Sequence, residues 1–167
     1  MDYEVRIQDK AERTVLAVRE TVRLEELGES IGACLAALYS RAGVHGLGIA
    51  GPPEVAYLSD FSLDGLDIEV RVPIAGSQPG AAQVDAASVV TLPAQRCVCT
   101  VHTGPYERLG DAYRVLEQWL AEQPYDAAGP AIETYVTGPD ETSSPDDYRT
   151  EITIPIEKRV HSAPVGA

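Results

Sequence analysis

The chain has 167 residues, of which 44% are apolar, and a formal net charge of −13 at pH 7. That charge opposes binding to nucleic-acid backbones, which depends on clustered Lys and Arg side chains. Cys34, Cys97 and Cys99 are too few for a disulfide framework. Neither a signal peptide nor a run of apolar residues long enough to cross a membrane is found. We therefore expect a cytoplasmic globular protein.

The first half predicts two strands, a helix and two further strands. Apolar residues from Leu24 to Leu38 recur at spacings of three and four, which predicts an amphipathic helix that Gly43 ends. Charged residues 9–12 predict a turn between the first two strands, and a second turn is predicted near Asp64 and Gly65. The predicted strands cover residues 4–8, 13–19, 55–58 and 66–74.

The second half predicts the same order of elements. A helix is predicted over 106–122, and the predicted strands cover residues 88–92, 96–102, 132–136 and 148–156. Residues 76–87 are rich in Gly, Ala, Pro and Gln, which is typical of a linker. We therefore expect a single domain over residues 1–167, made of half-units at about 3–75 and 88–158.

Identities at a fixed spacing support an internal duplication. At a spacing of 82 the matching residues are Glu25, Leu27, Gly28, Glu69, Pro73 and Ile74 with Glu107, Leu109, Gly110, Glu151, Pro155 and Ile156. At a spacing of 78 they are Gly51, Pro52 and Tyr57 with Gly129, Pro130 and Tyr135. The pattern predicts an α+β fold in which tandem βαββ units form an antiparallel sheet. We expect two main helices on one side of the sheet and a ligand groove on the pseudo-twofold axis.

The two halves differ in chemistry at a few matched positions. Val55 of the first half is replaced by Glu133, and aliphatic residues are replaced by aromatic ones at Tyr106, Tyr113, Trp119 and Tyr148. An acid among aromatic rings favours an organic cation, because both the carboxylate and the ring faces attract positive charge. In the alternative interpretation, Glu133 is a solvated strand-edge acid or a partner of Arg149, and the aromatic residues only pack.

A sheltered glutamate could also act as a general acid or base on a bound ligand. Tyr135, Tyr148 and His102 are then the candidates for a second group that activates water. Cys97 and Cys99 lack a further pair of ligands at zinc spacing, so we predict no metal site. The segment GLGIAG lacks the Lys and Ser or Thr of a phosphate-binding loop, and we expect no cofactor.

Three segments carry a resemblance to a known family. HTGPYERLGDAYRVLEQW, GPAIETYVTGP and YRTEITIPI resemble the GyrI-like small-molecule-binding domain, which is also the effector-binding part of AraC-type and MerR-type multidrug regulators. The likeness covers about residues 3–158. It implies paired βαββ units around a ligand groove, an acid at Glu133 that contacts cationic drugs, an aromatic lining at Tyr135 and Tyr148, and the family's helix tryptophan at Trp119.

The few residues before the first predicted strand cannot hold a helix-turn-helix, so we expect a stand-alone binder of hydrophobic, often cationic aromatic molecules. The predicted ligand-binding residues are Glu133, Tyr135, Tyr148, Trp119, Tyr113, Tyr106 and Tyr57. We expect no direct contact with nucleic acid and no membrane association. The resemblance also implies two alternatives: a hydrolase that opens cyclopropane-bearing electrophilic toxins with Glu133 as acid or base, and a protective protein whose partner is DNA gyrase.

Overall fold

The strands and helices follow the order that the duplication predicts. The computed structural model describes residues 3–60, 65–75, 83–84 and 87–159. The helices are α1 (Leu27–Val44) and α2 (Leu109–Glu122), each preceded by a short 3-10 turn. The strands within these residues are β1 (Arg6–Lys10), β2 (Arg13–Val22), β3 (Glu54–Tyr57), β4 (Leu66–Pro73), β5 (Gln83–Val84), β6 (Ala87–Leu92), β7 (Gln95–Thr103), β8 (Tyr125–Ala127), β9 (Ile132–Thr137) and β10 (Arg149–Lys158).

All the strands join one antiparallel sheet. Its order is β1-β7-β10-β9-β3-β4-β2-β6-β5, and β8 pairs with the end of β10. The β3–β9 pair therefore lies at the centre, with β4, β2 and β6 on one side and β10, β7 and β1 on the other. The predicted α+β class and antiparallel sheet are confirmed, and the pseudo-twofold axis passes between β3 and β9.

Backbone contacts repeat on both sides of that axis. The Tyr57 N–H donates to the Ala131 carbonyl at 3.0 Å, and the Tyr135 N–H donates to the Pro53 carbonyl, also at 3.0 Å. The donors of the two bonds are 78 residues apart, and so are the acceptors, so the bonds are equivalent in the duplication. The duplication also relates two close glycine contacts, because Gly51 lies against Pro73 as Gly129 lies against Pro155, the glycines being 78 residues apart and the prolines 82. The predicted duplication is thus present in the hydrogen bonds as well as in the sequence.

The first strand of each half pairs with the other half. β1 pairs with β7, and β6 pairs with β2, although only two residues separate β1 from β2 and β6 from β7. The predicted turn over residues 9–12 is therefore wrong, since Asp9 and Lys10 belong to β1. Residues 11–12 form a corner between two non-adjacent strands of the sheet. These exchanged strands add interstrand hydrogen bonds between the two halves.

Each helix covers its own half of the sheet. α1 buries Cys34, Leu38 and Ala42 against β2 and β4, and α2 packs against β7. The prediction that Gly43 ends the first helix is wrong, because α1 runs to Val44. Gly46 follows with a φ of 66°, a left-handed conformation that glycine adopts without a Cβ clash.

Some predicted segments lie outside the described residues. These are most of the linker 76–87, Asp64 of the second turn, and the residues after 159. Within the predicted linker, residues 83–84 form β5 and Ala87 begins β6. Strand β8 was not predicted, because its three residues sit in a segment that has the composition of a loop. No helix among the described residues combines the length and apolarity needed to cross a membrane.

Candidate functional site

Glu133 lies at the centre of the sheet and is only 5% exposed. Its position on β9 is directly opposite Val55 on β3 and Ile152 on β10. The side chain points toward α2, where it meets Tyr113. The interpretation of Glu133 as a solvated strand-edge acid does not fit this burial. Within the part of the chain that the structure describes, no Lys, Arg or His side chain lies within ion-pair distance of Glu133, and this includes Arg149.

Three tyrosine hydroxyls donate hydrogen bonds to the Glu133 carboxylate. Oε1 accepts from Tyr57 at 2.9 Å and from Tyr135 at 3.0 Å, and Oε2 accepts from Tyr113 at 2.6 Å. The donors come from β3, β9 and α2, so both halves of the chain contribute. These hydroxyls replace the water that an exposed carboxylate would bind, but they bring no positive charge.

The duplication explains how the tyrosines converge. Tyr57 and Tyr135 occupy equivalent positions, each two residues along its strand from Val55 or Glu133. Side chains two residues apart share one face of a strand, so both rings lie on the same face as Glu133. Tyr113 differs, because its equivalent on α1 is Ile31. The third donor therefore occurs only in the half that carries the acid.

The local environment keeps these hydroxyls neutral. Burial raises the pKa of Tyr57, Tyr113 and Tyr135, and the negative charge of Glu133 raises each of them further. Both causes disfavour a phenolate, because it would be a second buried anion beside the first. The three groups thus remain hydrogen-bond donors at neutral pH.

A row of aromatic rings extends from this cluster toward solvent. Tyr106 meets Tyr135 edge-on at a centroid distance of 5.9 Å and stacks on Tyr148 at 5.0 Å. Burial, followed by the neighbouring Tyr148, raises the pKa of Tyr106 to about 12. Gly138 makes room for this ring, because a Cβ there would lie 3.3 Å from the Tyr106 hydroxyl. The half-buried rings of Tyr106 and Tyr148 are thus connected to the buried acid through Tyr135.

The structure gathers six of the seven predicted ligand-binding residues and places Trp119 elsewhere. Trp119 stacks on Tyr125 of β8 at a centroid distance of 5.7 Å. It lies six residues after Tyr113 on α2, which turns it well away from the Tyr113 face of the helix. Its contribution to ligand binding stays a prediction.

His102 does not join the cluster either. Its Nδ1 lies 2.8 Å from the Tyr3 hydroxyl and its Nε2 lies 3.1 Å from the Pro105 carbonyl oxygen. The carbonyl can only accept, so Nε2 carries the proton and Nδ1 accepts from Tyr3. With both ring nitrogens engaged and the side chain only 1% exposed, His102 has the environment of a structural residue.

One further residue at this site was not predicted. Thr150 on β10 pairs directly with Tyr135, and its fully buried hydroxyl has no hydrogen-bond partner in the described structure. Threonine is common in strands, so its residue type gave no signal. Only the register between β9 and β10 places this unpartnered hydroxyl next to the tyrosines.

The family comparison decides what kind of domain this is. A model of the GyrI-like small molecule binding domain matches residues 3–157. The chain belongs to the GyrI-like family. The resemblance drawn from the three sequence segments is confirmed, and small-molecule binding is the function that the family shares. None of the curated protein sequences compared with this GyrI-like chain matches it.

Several solved structures share the GyrI-like fold. The crystal structure of the EcmrR C-terminal domain has a TM-score of 0.78 at 23% identity, and the match covers 95% of this chain and 99% of that one. In the cryo-EM structure of an EcmrR–DNA complex the TM-score is 0.83 at 21% identity, over 93% of this chain and 58% of that chain. This GyrI-like chain therefore spans just over half the length of that EcmrR chain.

Two other structurally similar proteins are described by a bound ligand and by an enzymatic activity. SAV2435 was solved bound to tetraphenylphosphonium, and its TM-score is 0.58 at 18% identity over 94% of each chain. A hydrolase from Listeria innocua has a TM-score of 0.67 at 14% identity over 92% of each chain. At identities this low, the comparisons establish the shared fold only. The ligand of this GyrI-like domain has to be inferred from its own residues.

Proposed function

We propose that this GyrI-like domain binds hydrophobic organic cations that carry aromatic rings, with Glu133 as the counter-charge. The observation that carries the proposal is the buried Glu133 carboxylate, which three neutral hydroxyls hold and which no described cationic side chain pairs with. A buried charge without a partner is costly, and a bound cation supplies the missing opposite charge.

The aromatic residues suit the rest of such a ligand. Tyr106 and Tyr148 stack on each other between the cluster and the solvent, and Tyr135 links them to Glu133. Ring faces attract a cation by about 0.5–2 kcal/mol each and supply apolar contact at the same time. Tetraphenylphosphonium, the ligand of SAV2435, has this chemistry.

The unpartnered Thr150 hydroxyl lies in the same row as Tyr135. We therefore assign Thr150 a polar contact that accompanies cation binding. Proteins leave very few buried polar groups without a partner, which is the reason for this assignment.

The test is a calorimetric titration with tetraphenylphosphonium, with triphenylphosphine oxide as a neutral aromatic comparison. The Glu133→Gln variant keeps the shape and an acceptor oxygen but removes the charge. It should weaken cation binding by about tenfold or more, equivalent to at least about 1.4 kcal/mol. Glu117→Gln, at an exposed position on α2, removes the same charge from the surface and should change the affinity less than about twofold. Equal cation binding by Glu133→Gln and the parent protein would overturn the proposal.

Hydrolysis is the second candidate function, and the 2.6 Å contact between Tyr113 and Glu133 favours it. A carboxylate can accept a proton from attacking water while a neutral phenol donates one to the opened substrate, and the proton on Glu133 then passes to the Tyr113 oxygen across their hydrogen bond. For a cyclopropane-bearing electrophile, water would form the new C–O bond as a ring C–C bond breaks. Incubation with such a compound and mass spectrometry should show an adduct heavier by one water. No turnover above the buffer rate would remove this candidate, and a gyrase partner stays a separate prediction.

A further inference from the structure

We propose a second binding site, for small organic carboxylates, on the face of the sheet opposite Glu133. Adjacent residues of a strand point to opposite faces, so Thr134 points away from the helix side on which Glu133 lies. Thr134 lines a cavity of about 360 Å³ on that face. This volume is within the usual range for small-molecule sites.

The floor of this carboxylate site contains an unpartnered polar group. Thr134 pairs directly with Glu54 on β3 and with Glu151 on β10, so the three residues form a row across the sheet. Thr134 is 9% exposed, and its hydroxyl has no hydrogen-bond partner in the described structure. A hydroxyl can donate to a ligand oxygen; the Thr134 oxygen is itself covered, so the Thr134 side chain has to turn toward the cavity to make this contact.

The cavity lining itself holds two cations, Lys10 and Arg13, and two carboxylates, Glu54 and Glu151, and cations outnumber carboxylates only in the wider ion-pair network of this face. Glu151 is shared by Lys10 at 3.4 Å and Arg6 at 3.9 Å. Glu54 accepts from Arg13 and from Arg71, the latter at 3.1 Å. Each carboxylate of the floor therefore faces two cationic groups.

A further acid does not cancel this excess. Glu69 is shared by Arg71 at 2.7 Å and Arg19 at 2.8 Å, which adds one cation for one more carboxylate. Five cationic side chains are thus paired with three carboxylates in the described ion pairs of this face. The positive charge available to an anionic ligand in the cavity comes from Lys10 and Arg13.

The cationic groups at the cavity also have donors to spare. A lysine ammonium has three N–H donors, and the described contacts of Lys10 use one, to Glu151. The Arg13 guanidinium has five N–H donors, and two of them donate to Glu54. Lys10 and Arg13 can therefore each donate to a ligand carboxylate without breaking the existing ion pairs.

Apart from Thr14, the remaining walls are apolar. They consist of Pro52, Pro73, Ile74 and the half-exposed Val136, together with Ala50 and Gly51. A ligand that combines one carboxylate with a compact hydrocarbon body fits this lining. The ligand expected here is an anion, whereas the Glu133 site is proposed to bind a cation, so the two sites can be tested independently.

The experiment is an NMR titration of the full chain with benzoate, with benzyl alcohol as the neutral and benzylamine as the cationic comparison. Benzoate should give saturable shifts at the backbone amides of Gly51, Thr134 and Val136, and both comparison compounds should bind more weakly. The absence of saturable benzoate shifts at these amides, or equal binding of benzylamine, would overturn the proposal.

Variants separate the proposed contacts from general effects. Thr134→Val and Lys10→Gln should each weaken benzoate by at least about fivefold, as expected for a lost hydrogen bond to a charged group. Thr134→Ser restores the hydroxyl and should retain most of the affinity. Lys158→Gln, at an exposed position outside the cavity, should leave binding unchanged. If Thr134→Val and Lys10→Gln both fold and bind benzoate like the parent, the site is not the one proposed.

Discussion

Val55 and Glu133 are equivalent residues of the two halves, and they are also direct partners across the β3–β9 pair. The pseudo-twofold axis therefore brings one position of the duplication face to face with its own copy. One copy is apolar and the other is charged. The acid is thus introduced once, at the centre of the sheet, where tyrosines from both halves can reach it.

This relationship predicts the outcome of moving the acid. Val55→Glu should lower the free energy of unfolding by about 3–5 kcal/mol, because it places a second buried carboxylate directly beside the first. The double variant Val55→Glu with Glu133→Val keeps a single acid at the axis, within reach of Tyr57 and Tyr135 by symmetry. It should be more stable than Val55→Glu alone in urea unfolding. A double variant that is less stable than the single variant would contradict the symmetric arrangement.

The Tyr113 hydroxyl is predicted to stabilise the buried acid. Tyr113→Phe removes the 2.6 Å hydrogen bond to Oε2 and should lower the free energy of unfolding by about 1–3 kcal/mol, the usual cost of a lost bond to a buried charged group. Tyr39→Phe, on the exposed side of α1, is the matched control and should stay within about 0.5 kcal/mol of the parent. Thermal or urea unfolding of both variants measures the difference.

The tyrosine cluster predicts a loss of stability at alkaline pH. Burial raises the folded pKa of Tyr106 to about 12, above the ordinary tyrosine value of 10.0, and the pKa values of Tyr57, Tyr113 and Tyr135 are raised as well. The folded state thus favours the protonated form. The stabilisation is complete below pH 10 and is lost as the pH rises through the folded pKa values.

Two measurements check this alkaline prediction. The midpoint of thermal unfolding should fall as the pH rises above about 10. In near-ultraviolet absorbance, the eight tyrosines should separate into a group that ionises near pH 10 and a group that ionises later or together with unfolding. A single transition of all tyrosines near pH 10 in the folded protein would contradict the buried cluster.

Glu69 predicts a loss of stability in acid. Burial alone would raise its pKa, but hydrogen bonds from Arg19 and Arg71 outweigh burial and lower the pKa below the ordinary value of 4.5. The folded state therefore favours the carboxylate, and its stabilisation is present above pH 4.5 and is lost as the pH falls through the folded pKa. Glu69→Gln should make stability less dependent on pH in this acid range. Glu29→Gln, at an exposed position, should leave the pH dependence of stability unchanged. Unfolding midpoints measured across that range compare the two variants.

The sequence was sufficient for the fold class and for the position of the acid. Hydrophobic periodicity predicted both helices and the main strands, because burial of one helix stripe or one strand face fixes which residues must be apolar. The offset of 78 residues between Val55 and Glu133 showed that an acid stands where its copy is a valine. That comparison needs no coordinates, since the duplicated chain supplies its own reference.

The tertiary structure alone decided how the elements pair and which rings surround the acid. Two-residue links at 11–12 and 93–94 suggest hairpins, yet β1 and β6 each pair with the opposite half. Strand pairing depends on contacts between residues far apart in the sequence, so local composition does not determine it. Helical spacing already places Trp119 and Tyr113 on different faces of α2. Only the tertiary structure showed that Trp119 stacks on Tyr125 of β8 while the Tyr113 hydroxyl donates to Glu133.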